Sequence, residues 1–246
     1  MSIIPIHMEK DVNTNDDLIE LILSSINKER QKLHDNDILV ITHKIISKAE
    51  GRLIPLNNIR SSKRARSIAI RHDKDPRIVE QILRESKRIV KIEHNIIIVE
   101  TKHGFVCANA GVDQSNINSN SVLSLPLNPD ISATKIRVKI KRRIGRKIAV
   151  IITDTFGRPF REGQVNVAIG VSGLKPIIDY RGLRDTFGKE LKVTEIAIAD
   201  EIASAAELVM NKFSLIPIAI IRGFIYKNKN GSAKELIRKR KNDLFR

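Results

Sequence analysis

Three short, almost unbroken aliphatic runs constrain this chain most: "ILVIT" at 38–42, "IAVIIT" at 148–153 and "IPIAII" at 216–221. Each is too short for a helix and rich in β-branched residues. Each reads as a buried strand, within 36–43, 147–154 and 216–224. A strand apolar on both faces needs cover on both faces, so the segments between should supply helices. They do. Residues 15–34 place Leu18, Leu21, Ile22 and Ile26 at helical spacing, with acidic residues near the start. Residues 61–72 and 75–92 read as two helices, the second with Pro76 at an early position. Residues 130–145 form a basic helix, and 194–212 an Ala-rich amphipathic one. The run 95–111 reads as a hairpin turning at Gly104, and 165–173 as a further strand. A polar loop spans 113–121. Helices and strands interleave through short connections, which predicts a mixed α/β (α+β) fold.

The core must be aliphatic, because aromatics are only 4% of the residues and Trp is absent. A single cysteine, Cys107, excludes an intrachain disulfide, and its apolar neighbours read as core. No apolar run approaches the ~20 residues that span a bilayer. The N-terminus lacks the basic start and apolar core of a signal peptide. The expectation is a cytoplasmic protein with no membrane partner. The net charge of +16 allows two readings, capture of anions or a compositional habit. It is spread along the chain rather than focused on an aromatic-studded patch, which does not favour nucleic acid. Residues 227–246 are a strongly basic tail, read as a solvated terminal helix.

Polar groups gather where strands end, the usual place for sites in such folds. "THKIISKAEGR" (42–52) sets Lys44 and Lys48 one helical turn apart, suited to gripping phosphate oxygens or simply to facing water. No glycine-rich loop precedes Lys48, so a P-loop is not expected. "ANAGVDQSN" (108–116) offers Asp113 and Asn116 beside Gly111, as hard oxygen ligands or as an Asx-turn. In "ITDTFGRPFREGQ" (152–164), an apolar strand stops on Asp154. Asp154 and Thr155 suit a metal or a capped turn, and Arg158 and Arg161 could meet anionic substrate groups. Asp200 and Glu201, inside the 194–212 helix, read as a solvent-facing pair. No HExxH, Cys/His cluster or GxSxG motif supports zinc or serine chemistry.

Together "THKIISKAEGR", "ETKHGFVCANAGVDQSN", "ITDTFGRPFREGQVNVAIG", "DYRG" and "TEIAIADEIASAAELVM…IPIAIIRG" resemble the coenzyme F-420 γ-glutamyl ligases, in that family's order, over about residues 3–224. The resemblance implies an uncommon fold with mixed, largely antiparallel sheets, neither P-loop nor Rossmann. It implies a catalytic region at 1–226. It implies a homodimer that uses GTP and Mn²⁺ or Mg²⁺, with K⁺ as a candidate further ion, to add L-glutamate through γ-linkages to a deazaflavin precursor. Carried over residue by residue, it makes Asp113 and Asp154 metal ligands, with Thr155 beside them, and gives them a catalytic role together with Lys48. Pro5, Ile6, His7, Met8, His43, Lys44, Lys48 and Asn116 fall at nucleotide-contacting positions. So do Met210, Asn211 and Lys212, although "NKFSL" (211–215) lacks the family's usual glycine. The alternatives are a related ligase for another carboxylate acceptor, or a basic nucleic-acid-binding protein.

Overall fold

The computed structural model describes residues 1–14, 16–115, 117 and 120–243. The three aliphatic runs lie side by side in one five-stranded sheet. Strand β1 (Ser2–Ile6) forms one edge, and β2 (Ile38–Thr42) lies at the centre. Between them runs the last strand, Ile218–Arg222, antiparallel to both. Beyond β2 come Ala149–Arg158, parallel to it, and then Arg161–Ser172, antiparallel. Pro5, which has no N–H to donate, is tolerated because β1 is an edge strand.

Helix α1 (Leu18–Lys28) starts where the Asp17 carboxylate accepts the Ile19 and Glu20 N–H groups, and it buries Ile19, Ile22 and Ile26. Helix α2 (His43–Ala49) begins on the residue after β2 ends. A short ladder pairs β3 (Leu53–Pro55) with a strand at Ser121–Leu123. Next come α3 (Lys63–Arg71) and α4 (Pro76–Glu85). They cover a separate three-stranded antiparallel sheet of β4 (Ser86–Glu93), β5 (Ile96–Thr101) and β6 (Val106–Ala108). This part has its own core of Ala65, Ile68, Val79, Ile82, Ile97 and Val99. The Ser121–Leu123 strand is β7. Helix α5 (Pro129–Ile144), capped by Asn128 and closed by left-handed Gly145, packs on the Ala149–Arg158 strand, β8, and the Arg161–Ser172 strand, β9. A ribbon of β10 (Ile178–Asp179) and β11 (Glu195–Ile196) ties off an exposed arm. Helix α6 (Ile198–Met210) packs across β9, β1 and the final strand, β12. The class is mixed α+β with largely antiparallel sheets, as expected.

Four segments depart from the sequence reading. The expected helix 75–92 ends at Glu85, and Ser86 is already extended. From there "KRIVKI" pairs with β5, because β-branched residues suit a half-covered strand better than a second helical turn. The strand expected to stop on Asp154 continues to Arg158 and turns at Pro159–Phe160 into β9, so the whole 152–164 run is a hairpin. Phe160 takes the left-handed conformation that this reversal requires. Asp200 turns inward, away from its expected solvent-facing place, and accepts the Ala168 N–H at 2.8 Å, whereas Glu201 is exposed. Burial raises the Asp200 pKa, with the Ala168 N–H opposing it. Among its described residues, 227–243, the tail forms no α-helix. It holds 3-10 turns at Ala233–Leu236 and Arg240–Asn242. Ser232 donates to Asp130 at 2.6 Å and Ala233 is fully buried, so part of the tail docks on the start of α5.

Candidate active site

Strands β2 and β8 are parallel and in register, Thr42 opposite Thr153, so they deliver their C-terminal ends together. The next residues along, His43 and Asp154, therefore become neighbours. His43 Nε2 lies 3.3 Å from Asp154 Oδ1. The approach is too misaligned for a hydrogen bond, and Nε2 is buried with no other partner. Nδ1 faces Ser47 Oγ at 3.3 Å. Asp154 Oδ1 accepts the Thr155 N–H at 2.7 Å, and Oδ2 has no hydrogen bond among the described residues. Its charge reaches Cys107, whose thiol burial, helped by that carboxylate, pushes up to about 12.

A cavity of about 450 Å³ opens above this edge, within the usual range for small-molecule sites. Asp154 and Thr155 belong to its floor, Lys44 and Lys48 come from α2, and two loops close it. One loop carries Met8 and Asp11, and the other Met210–Phe213 and Leu215. The two loops are stitched by the Met8 N–H donating to Leu215 O at 2.9 Å. Lys48 Nζ donates to Asp11 Oδ1 at 2.6 Å. Lys44 Nζ lies 2.7 Å from Asp113 Oδ2 and 2.6 Å from Ser115 Oγ. Burial works to raise the Asp113 pKa. The Lys44 ammonium and the Ser115 N–H and O–H outweigh it and hold the carboxyl below its ordinary value.

The structure thus gathers eight of the expected site residues around one space: Met8, Lys44, Lys48, Asp154, Thr155, Met210, Asn211 and Lys212. Asp113 stands behind Lys44. His43 is only 1% exposed and backs Asp154 rather than lining the cavity. Pro5 is paired in β1, Ile6 is core, and His7 bonds Glu29, so of "PIHM" only Met8 reaches the cavity. Arg158 and Arg161 flank the turn of the projecting hairpin and are not among the lining residues. Asn116 lies outside the described residues. Among the lining residues that escaped the sequence reading are Asp11, Thr42, Asn166 and Glu207. Thr42 ends β2. Asn166 is a polar residue inside a buried strand, a signal that could have been read. Glu207 lies three residues before the end of α6 and was masked by the more obvious Asp200–Glu201 pair.

Whether these residues suit a divalent cation turns on donor chemistry. Among the described residues no three His, Cys, Asp or Glu side chains gather around one point. Mg²⁺ and Mn²⁺ bound to phosphates need only one or two carboxylates, taking the rest of their shell from phosphate oxygens and water. The free Oδ2 of Asp154, facing a cavity flanked by two lysines, fits that demand.

A family model described as F420-0:gamma-glutamyl ligase matches residues 8–223. The chain belongs to the F420-0:gamma-glutamyl ligase family. Its sequence is similar to the coenzyme F420:L-glutamate ligase of Methanothermobacter thermautotrophicus, with 48% identity over 96% of this chain and 94% of that one. It is 51% identical to the enzyme of the same name from Methanocaldococcus jannaschii, over 87% of this chain and 86% of that one. It is 46% identical to the Methanopyrus kandleri enzyme of that name, over 98% and 96%. The family match spans four of the five sheet strands (all but the edge strand β1), α2, the hairpin, α6 and both cavity loops. No described helix is long and apolar enough to cross a membrane.

Proposed function

We propose that this chain joins L-glutamate, through a γ-linkage, to the deazaflavin precursor of coenzyme F420, with GTP as the activating co-substrate. The observation that carries the reading is one cavity in a ligase-family chain that is lined by Asp154, Lys44 and Lys48, with Asp154 Oδ2 left without a hydrogen bond among the described residues. A carboxylate is a poor electrophile, so an amide requires its activation. The γ-phosphoryl group passes from GTP to an oxygen of the precursor's terminal carboxylate, GDP leaves, and an acyl phosphate results. The glutamate amine then attacks the acyl carbon, loses a proton and expels phosphate.

The side chains suit that sequence. Lys48 and Lys44 give up Asp11 and Asp113 and turn to phosphate oxygens, as charge-assisted donors. Asp154, with Thr155 beside it and Asp113 behind Lys44, would hold Mn²⁺ or Mg²⁺, which when bound neutralises charge on the transferring phosphoryl group. His43 fixes the carboxylate from below. Met8, Met210 and the loop 211–215 offer the cavity's apolar walls to the nucleotide. K⁺ belongs to the same reading as a further ion. The active unit is a homodimer, a reading supported by the arm between β10 and β11, which holds Leu183, Phe187 and Val193 out to solvent. Light scattering that returns a monomer mass would remove that part.

The deciding experiment is mass spectrometry of the purified precursor incubated with the protein, GTP, Mn²⁺ and L-glutamate. One or two added glutamyl units are expected. Unchanged precursor, with ligation to another carboxylate acceptor instead, would shift the assignment to a different acceptor. Turnover with ATP in place of GTP would remove the nucleotide assignment.

A further inference from the structure

Just past α2, outside the cavity lining, a buried polar junction joins three parts of the chain. Arg52 Nε donates to Leu125 O at 2.9 Å, and its Nη2 donates to Glu85 Oε1 at 2.6 Å. Gln81, one turn before Glu85 on α4, donates through Nε2 to the same Glu85 oxygen at 2.8 Å and to Ser124 Oγ at 3.0 Å. The Arg52 and Glu85 side chains are 15% and 13% exposed, and Gln81 and Ser124 are buried. A buried ion pair is seldom a source of net stability, and apolar residues of similar volume often serve the fold as well. Its directional bonds do something apolar contacts cannot. They fix one segment against another in a single arrangement.

The segments fixed here are the ones that carry Asp113. Leu123 exchanges both backbone hydrogen bonds with Asp113, at 2.9 and 3.0 Å. The next residue, Ser124, donates its N–H to Arg52 O at 3.2 Å. Leu125, whose carbonyl Arg52 grips, packs its side chain where a Cβ on Gly111 would fall, 2.7 Å away. The bridge partner of Asp113 and the turn just before it are therefore both held by the segment that Arg52 holds. Arg52 is also tied to α2, donating its N–H to Ser47 O at 2.8 Å, and α2 carries Lys44, 2.7 Å from Asp113 Oδ2. We propose that Arg52 is a positioning residue for the reaction: through Leu125 and Glu85 it holds the Asp113 carboxylate where a divalent cation needs it. The inference rests on the ligase reading. It also gives the separate α3–α4 layer a role, since Glu85 at the end of α4 is the backstop that orients the guanidinium. Arginine suits the task because its planar fork meets a carbonyl and a carboxylate from two segments at once, and a lysine ammonium has no such fork.

The test compares the full chain with Arg52→Met/Glu85→Gln and with Arg52→Lys. The double variant removes the guanidinium without stranding a carboxylate, and the amide oxygen introduced at position 85 still accepts from Gln81. Calorimetry titrates Mn²⁺ into protein saturated with a non-hydrolysable GTP analogue, and titrates the analogue alone without metal. Mn²⁺ affinity is expected to fall about 10–100-fold, as for other residues that orient a ligand from behind. The melting temperature and the metal-free affinity for the analogue should stay near wild type. Arg52→Lys keeps the charge beside Glu85 and should not restore Mn²⁺ affinity, and it carries the same comparison if the double variant fails to fold. Unchanged Mn²⁺ affinity would overturn the proposal, leaving Arg52 a structural role only. An equal loss of metal-free nucleotide affinity would overturn it too, as a general loosening of the cavity. Full rescue by Arg52→Lys would do the same, because charge rather than the fork would then matter. Amide hydrogen exchange of the ligand-free protein gives a readout independent of metal: the Asp113 and Leu123 amides should exchange faster in the variants while those of β2 do not. Unchanged exchange there would overturn the positioning role. A wild type that binds no Mn²⁺ but shows this exchange response removes the metal from the ligase reading and leaves the hold of Arg52 on Asp113 standing.

Discussion

His43 Nε2 stands 3.3 Å behind Asp154 Oδ1, at the seam where β2 and β8 end side by side. The buried imidazole backs the carboxylate without a hydrogen bond, and Asp154 Oδ2 has no hydrogen bond among the described residues. Asp154→Asn should abolish ligation with the melting temperature nearly unchanged. A folded variant with near-normal metal-dependent turnover would remove Asp154 from the metal site. His43→Ala should cost ~10–100-fold in turnover or metal affinity, the usual penalty for losing a partner behind a ligand. The diagnostic readout is the concentration of Mn²⁺ needed for half-maximal rate, which a purely structural role would leave alone.

Asp11 occupies Lys48 in the free protein, and its carboxylate is largely exposed. On the proposed reading, nucleotide displaces it. Asp11→Asn should therefore tighten GTP binding by up to about fivefold, the worth of an exposed ion pair. Calorimetric titration of GTP into wild type and variant reads this directly. Equal or weaker binding would mean that Asp11 assists the nucleotide.

All substrates of the proposed reaction carry net negative charge, and the protein carries +16. Long-range attraction of that kind is screened beyond about 10 Å at 0.1 M salt. The ratio kcat/KM should fall steeply as KCl rises from low ionic strength at constant Mg²⁺, with kcat much less affected. A flat profile would show that the surplus charge plays no part in capture.

Gly111 and Gly145 both adopt positive φ, +67° and +73°, but their surroundings differ. A Cβ on Gly111 would fall 2.7 Å from the buried Leu125 side chain, while one on Gly145 meets open space. Gly145→Ala should cost about 1 kcal/mol, from backbone strain alone. Gly111→Ala adds overpacking, and should reach about 2–4 kcal/mol in urea unfolding. Equal losses would mean that the 108–116 loop yields more easily than its packing suggests.

Asp75 caps α4 and is gripped by Arg77, whose guanidinium and N–H, against the opposing effect of burial, hold its pKa below the ordinary value of 3.8. A depressed pKa stabilises the fold fully above the unfolded-state value, and the benefit is lost as pH falls through the lower folded-state value. Asp75→Ala should cost about 1 kcal/mol at pH 7. The difference from wild type should shrink once the pH drops below about 4. A gap that stays constant down to pH 2 would place the effect in packing rather than charge.

The sheet was legible because its central strands are apolar on both faces, a pattern that no surface element shares. The joint from β2 to α2 was legible for the same reason, as the point where that pattern stops. The α4–β4 boundary was not. "ESKRIV" carries charges at helical spacing, and only the pairing of Arg88 and Ile89 with Glu100 and Val99 reveals the strand. Glu207 was hidden because a carboxylate near the end of an Ala-rich helix looks solvated until Asn166 is placed opposite it. His43 was assigned to the nucleotide on resemblance, and its depth behind Asp154 emerges only from the pairing of β2 with β8. The docked tail was illegible because its anchor, Ser232 on Asp130, joins residues far apart in sequence.

The cavity's floor belongs to parallel strands locked in register, while much of its wall belongs to two loops joined to each other through Met8 and Leu215. Chemistry and recognition therefore sit on parts with different tolerances. Slipping β8 by one residue would turn Asp154 to the other side of the sheet and end the reaction. Rewriting 8–14 or 211–215 would leave the floor intact. Acceptor and nucleotide preference can thus drift, or be engineered, by editing two short surface segments around an unchanged bond-forming machine.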